Sequence, residues 1–170
     1  MRFSFFYLLV VSILIFQGCK KPFEEKCNCV INDIERARRL INQAEDTVSI
    51  NGDTLFLDVY AYRNFFPSHN INNSPHELIV TVELCGTKNH ELSNEFILKE
   101  MFVINSNLIW IPPTVSIVDV NSLNYVRWVA KNGPEWDTGK YVDVILRIFV
   151  VASETEKMII ARKQQIHRVE

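Results

Sequence analysis

The hydrophobic pattern of residues 47–62 constrains the fold more than any other stretch of this sequence. Apolar and polar side chains alternate there with a period of two, interrupted only by Asn51 and Gly52. Asn-Gly between two alternating segments is the strongest short-range signal for a β-hairpin. Because side chains alternate across a strand, one face of the second strand is predicted to carry Leu55, Leu57, Val59 and Ala61. The sequence therefore predicts antiparallel β structure from residue 47 onward.

Further strands are predicted along the rest of the chain, separated by turn-forming residues. The predicted segments are 77–85, 96–105, 108–111, 115–120, 124–130, 141–151 and 157–169. Turns are predicted at residues 131–134 and 153–156. About eight short strands after one early helix are typical of an antiparallel sandwich.

The early helix is predicted over residues 32–46, where the hydrophobic period is helical. Its apolar stripe consists of Ile34, Ala37, Leu40, Ile41 and Ala44. Asn32 or Asp33 is suited to cap its first turn. Three arginines, Arg36, Arg38 and Arg39, lie on this helix. A solvated helix face is the favoured interpretation of them, and contact with anionic lipid or an acidic partner is the alternative.

The segment from Asp137 to Tyr141 carries a motif of known shape. Asp137, Gly139 and Tyr141 are spaced as Asp-x-Gly-x-Tyr, which resembles the tyrosine corner of immunoglobulin-like domains. The resemblance implies that the Tyr141 hydroxyl bonds to nearby backbone, and that residues 47–170 form an immunoglobulin-like β-sandwich ending in strands F and G. The family's disulfide cysteine is replaced by Asp143, so the antibody-type bridge is not expected.

The first eighteen residues have the composition of an export signal. Arg2 supplies positive charge, and an apolar run of about 14 residues follows, which is short of the ~20 that a membrane-spanning helix needs. Gly18 and Cys19 after such a run resemble the signal of bacterial lipoproteins, although Phe16 stands where that family usually has an aliphatic residue. The alternative is an ordinary cleaved signal with a coincidental cysteine.

The lipoprotein resemblance implies cleavage before Cys19 and acylation of Cys19 by palmitate or similar chains. Residues 1–18 would then be the signal peptide and residues 19–31 a lipidated tether to the cell envelope. In the sorting rule of these proteins, Asp after the lipidated cysteine retains the protein at the inner membrane. This chain has Lys20 there, so an outer-membrane location is expected.

The remaining cysteines leave an alternative open. Three cysteines other than Cys19, namely Cys27, Cys29 and Cys85, cannot all pair within one chain. Either Cys27 or Cys29 could bridge to Cys85 in an oxidising compartment. They fall short of the four-ligand pattern of structural zinc, so no metal site is predicted.

Residue patterns that carry chemistry are mostly missing from the sequence. It has no phosphate-binding glycine loop and no Gly-x-Ser-x-Gly motif, and its net charge of −2 lacks the basic footprint of a nucleic-acid binder. No catalytic residue and no cofactor is therefore predicted. The alternative is an envelope hydrolase or other enzyme whose residues converge only in three dimensions, with His69, His76 and His90 as the first to examine.

Binding is the function that the remaining features favour. The long connection over residues 63–76 places Phe65 and Phe66 beside Asn70 and Asn72, a mixture suited to protein or sugar contact. Disorder is the alternative for this loop. Trp136, between two acidic residues, is a second candidate, with packing over the sandwich end as its alternative. The predicted function is a membrane-anchored binding or scaffolding module for an envelope protein or glycan.

Overall fold

A computed structural model describes residues 29–66, 76–88, 92, 95–118 and 125–170, and the chain is mainly β in these residues. One helix, α1, covers Ile34–Gln43. The strands are β1 Cys29–Asn32, β2 Thr47–Ile50, β3 Asp53–Asn64, β4 Leu78–Gly86, β5 Phe96–Asn105, β6 Leu108–Ile111, β7 Val115–Val118, β8 Tyr125–Gly133, β9 Tyr141–Val150 and β10 Thr155–Val169.

These ten strands form one connected sheet that curls into a half-barrel. Its order is β1-β6-β5-β9-β10-β3-β4-β8-β7, with β2 paired to β3 beside this path. Every pairing is antiparallel except that of β10 with β3, which is parallel. We call β1, β6, β5 and β9 the first half, and β2, β3, β4, β8 and β7 the second half.

The long strand β10 joins the two halves. Residues 155–161 pair with β9, whereas residues 166–169 pair with β3. Between these segments the register shifts, and Lys163 adopts a φ of 52°. The Lys163 amide donates to Asp143 Oδ1 at 2.8 Å, so the residue that replaces the immunoglobulin cysteine holds this irregularity. A bulge of this kind bends a strand and redirects its pairing.

The main core lies between the two halves. It combines residues of the second half, such as Leu55, Leu84 and Trp128, with residues of the first half, such as Trp110 and Leu146. Apolar area removed from water in this way contributes about 25 cal/mol per Å². The predicted apolar face of β3 is confirmed, since Leu55 and Ala61 are buried and Leu57 and Val59 pack against the same cluster. The curl of the sheet is therefore closed over by side chains from both halves.

A second core lies under α1, on the outer face of the first half. Ala37, Leu40 and Ala44 pack there against a group of sheet residues: Phe102, Ile104, Ile109, Ile145 and Ile160. Asp33 caps the helix by accepting from the Arg36 amide at 2.8 Å, as the sequence predicts. The helix is shorter than predicted, and Ile34 of the expected stripe is largely exposed. Strands β5 and β9 are consequently buried on both faces.

The hairpin predicted at Asn51 and Gly52 is confirmed, with β2 and β3 paired around it. Both turn residues have positive φ, 52° and 76°, as a type I′ turn requires. Elsewhere the boundaries differ from prediction. Strand β1 begins at Cys29, inside the segment predicted as tether, and β8 continues to Gly133 through the predicted turn at 131–134.

The predicted tyrosine corner is wrong. Tyr141 is 60% exposed, and its hydroxyl makes no hydrogen bond within the part of the chain that the structure describes. The same corner is held by backbone instead, where the Gly139 amide donates to the Ile166 carbonyl at 2.7 Å and the Ile166 amide donates to the Lys140 carbonyl at 2.8 Å. The continuous course of β10 replaces the side-chain lock.

The proposed bridge to Cys85 is also wrong, because Cys85 carries a free thiol. Cys29 is disulfide-bonded. Within the described residues, no helix has the length and apolar character needed to cross a bilayer.

Candidate functional site

Arg63 organises one end of the sheet. It follows Leu55, Leu57, Val59 and Ala61 on the inward face of β3, and it is only 8% exposed. Its Nε donates to the His76 carbonyl. Its Nη1 donates to the carbonyls of Trp136 at 3.2 Å and Glu135 at 3.4 Å. A buried guanidinium needs such acceptors, so this arginine ties β3 to the residues before β4 and after β8.

Phe65 lies beside this arginine and is contacted by charged and aromatic groups. Its ring stacks on His76 with centroids 4.4 Å apart. The Arg168 guanidinium carbon is 4.2 Å from the ring centroid and that of Arg63 is 5.3 Å away. Such cation–π contacts contribute about 0.5–1 kcal/mol each at exposed sites. We call Arg63, Phe65, His76, Trp136 and Arg168 the Arg63 cluster.

The predicted binding residues have different fates. Phe65 is half-buried, and Trp136 packs partly against the main core, so the packing alternative for Trp136 is confirmed. Phe66 is 52% exposed and remains available for contact. Asn70 and Asn72 lie outside the described residues. Arg63 brings Phe65 and Trp136 to the same end of the sheet, as expected for residues of one contact surface.

A second aromatic surface lies on the outer face of the second half. Tyr60 and Tyr62 point to this face of β3, and His167 on β10 is the register partner of Tyr62. The rings of Tyr60 and His167 have centroids 5.1 Å apart and planes inclined by 20°. Those of Tyr60 and Tyr62 are also 5.1 Å apart, inclined by 31°. We call these three residues the aromatic platform.

A charged row crosses the same face next to the platform. Asp58, Glu83 and Arg127 are consecutive register partners on β3, β4 and β8. Arg127 Nε donates to Glu83 Oε1 at 2.7 Å, and its guanidinium lies over the Tyr125 ring. The hydrogen bond from Glu83 raises the pKa of Arg127. The Glu83–Arg127 pair is thus a fixed, neutral feature, which leaves Asp58 as the uncompensated charge of the row.

Asp53 is the other buried charged residue, and it has a structural role. Its Oδ1 accepts from the Thr87 hydroxyl at 2.6 Å and from the amides of Thr54, Thr87 and Lys88. Burial raises the pKa of Asp53, but these hydrogen bonds outweigh burial and hold the pKa below its usual value. Asp53 therefore anchors the chain that leaves β4.

Cys85 lies on the outer face between Phe56 and Tyr125, its register partners. Burial, with the nearby charges of Glu83 and Asp58, raises the pKa of its thiol to about 11. The thiolate is the reactive form of cysteine, so Cys85 is a weak nucleophile at neutral pH.

Metal-ligating and catalytic constellations were sought in the described ranges. Those ranges contain no group of three His, Cys, Asp or Glu residues placed to hold a metal ion. Of the histidines named above, His76 stacks on Phe65, whereas His69 and His90 lie outside the described residues.

No protein-family model matches the chain, and neither a curated protein nor a solved structure is significantly similar to it.

Two functional surfaces were missed by the sequence analysis, although part of each had a signal. A charged residue at an inward position of an alternating strand, as Arg63 is, indicates a buried polar network. The same alternation places Phe56, Asp58, Tyr60 and Tyr62 on the outer face. His167 had no such signal, because its position depends on the parallel pairing of β10 with β3.

Proposed function

We propose that this protein is a lipid-anchored envelope protein whose β domain binds or scaffolds a protein or glycan partner. One contrast between the two halves of the sheet supports this proposal. The outer face of the first half is covered by α1. The outer face of the second half exposes large apolar and aromatic side chains, including Phe56 and Tyr60. Exposed aromatic surface of this kind is typical of binding sites.

The anchor is proposed to be a lipid on Cys19, in the outer membrane. The support is Gly18-Cys19 after a short apolar run, followed by Lys20. Wild type should carry an acyl mass on Cys19 and sediment with outer membranes, because two or more acyl chains make attachment stable. Cys19→Ala should be released from membranes. An unmodified wild-type Cys19, with membrane association unchanged in the variant, would contradict the anchor.

The contact surface at the end of the sheet is proposed to be Phe66 and the loop that follows it. Replacing residues 68–74 by a tight turn should reduce crosslinked capture of partners from intact membranes. Folding should survive, because the nearest buried anchor, Arg63, bonds to residues on either side of the shortened segment. Phe66→Ala is a milder version of the same test. Undiminished capture by both folded variants would place the contact elsewhere on the domain.

We also propose that the half-barrel is a derivative of the immunoglobulin-like sandwich. Support comes from the core shared by two facing halves. The parallel pairing of Ile166 with Ala61 counts against it, since it makes the sheet continuous. An experimental structure in which β10 pairs with only one half would favour the sandwich. Retention of that pairing would favour a half-barrel of its own kind.

A further inference from the structure

We propose that the aromatic platform, Tyr60, Tyr62 and His167, is a glycan-binding surface that takes the pyranose rings of an uncharged saccharide. This inference rests on the proposed function and narrows the partner from a protein or glycan to one chemical class. It also moves the contact from the predicted loop to the outer face of β3 and β10.

The first argument is the flatness of the surface. Tyr60 is 47% exposed, and its ring lies between those of His167 and Tyr62 at small interplanar angles, 20° and 31°. The adjoining rings therefore form a nearly continuous, shallow aromatic surface. A pyranose ring has a flat face of C–H groups, which aromatic faces attract through their negative quadrupole.

The second argument is the small area of the platform. An aromatic side chain buries about 150–250 Å² when fully covered, so three partly covered rings offer on the order of 200–300 Å². A stable protein interface needs roughly 800 Å² from each partner. The charged row of Asp58, Glu83 and Arg127 separates the platform from Phe56, so the apolar surface does not extend in that direction. A second copy of this chain or a folded partner fits this area poorly, whereas one or two sugar rings match it.

The third argument is the charge and polarity around the rings. Glu83 is neutralised by Arg127, which leaves Asp58 as a negative group two residues from Tyr60. A polyanion, whether an acidic polysaccharide or a single-stranded nucleic acid, would be repelled there. An uncharged sugar would instead find hydrogen-bonding groups at the Tyr60 and Tyr62 hydroxyls and at Thr81, the register partner of Tyr60. These groups supply the polar contacts that stacking alone lacks.

The test is a titration of the full lipidated chain in a detergent without a sugar headgroup. The uncharged probes are cellohexaose, maltohexaose and chitohexaose, and the anionic probes are polygalacturonate and oligo(dT). At least one uncharged hexaose should bind saturably. Tyr60→Ala and Tyr62→Ala should each weaken that binding at least about tenfold, the equivalent of one lost ring contact. Tyr60→Phe should retain most of the binding, because it keeps the ring.

Phe66→Ala is the matched control, since Phe66 is an equally exposed aromatic residue outside the platform; its affinity should stay within about twofold of wild type. His167→Ala serves as the platform variant if the Tyr60 variants fail to fold. Saturable binding to no uncharged hexaose, binding to the anionic probes alone, or equal binding by Tyr60→Ala and wild type would each overturn the inference. If glycan binding is absent but protein capture from membranes persists, only this inference fails. If both are absent, the proposed function fails with it.

Discussion

Removing the charge of Arg63 tests whether the Arg63 cluster holds this end of the sheet together. Arg63→Met keeps most of the aliphatic stem and deletes the guanidinium. Three backbone carbonyls then lose a donor, those of His76, Glu135 and Trp136. A buried acceptor left without its partner costs about 1–3 kcal/mol. We use the low end, because His76 and Glu135 are exposed and water can reach them.

The three carbonyls together predict a loss of about 3 kcal/mol in the free energy of unfolding. The ion pair with Glu135 adds little, since that carboxylate is largely exposed and lies 3.5 Å away. The cation–π contact with Phe65 adds about 0.5 kcal/mol more. Urea denaturation followed by circular dichroism measures the change, and the slope of the transition should stay the same.

Arg162→Met is the matched control for this experiment. Arg162 also bonds a carboxylate, Asp46 at 2.8 Å, and two carbonyls, those of Ile41 and Ala44. Its side chain is 40% exposed, so water replaces what it loses and the expected cost is about 0–1 kcal/mol. Equal losses for Arg63→Met and Arg162→Met would refute the role assigned to Arg63.

Three further substitutions test the fold and its titratable groups. Gly133→Ala should cost about 1–3 kcal/mol in thermal or urea unfolding, because its Cβ would lie 2.7 Å from the buried Trp110 ring; an unchanged midpoint would mean that the approach is looser. Asp53→Asn should cost about 1–3 kcal/mol near neutral pH. Since folding lowers the pKa of Asp53 below its usual 3.8, that difference should be complete above this pH and disappear as the pH falls through the lowered value; a pH-independent difference in urea titrations would contradict the assignment. Tyr141→Phe should leave the unfolding midpoint unchanged, because the hydroxyl is exposed; a loss of about 1–3 kcal/mol would restore the tyrosine corner.

Local patterns in the sequence predict the strands well where the signals are strong. The bounds of β5 and β6 agree with the predicted segments 96–105 and 108–111, because Ser106 and Asn107 form a tight turn between two apolar runs. The helix and its Asp33 cap are local features too. What the sequence does not reveal is how strands distant in the chain pair.

The parallel contact of Ile166 with Ala61 joins residues far apart in sequence, and no hydrophobic period reports such a pairing. This contact turns an expected sandwich into one curled sheet. It also creates the aromatic platform, because it places His167 beside Tyr62. The Arg63 cluster was missed for the same reason, since its acceptors come from segments before β4 and after β8.

Site-specific photo-crosslinking in intact cells tests the central claim, that the exposed aromatic surfaces bind an envelope partner. The photoreactive residue p-benzoylphenylalanine would replace Tyr60 in one variant, Phe66 in a second and Ile97 in a third. Ile97 is exposed on the first half of the sheet and serves as the control. The account predicts a discrete, light-dependent adduct at position 60 or 66 and none at 97. Adducts at 97 as abundant as those at 60 and 66, or none at all three positions, would contradict it.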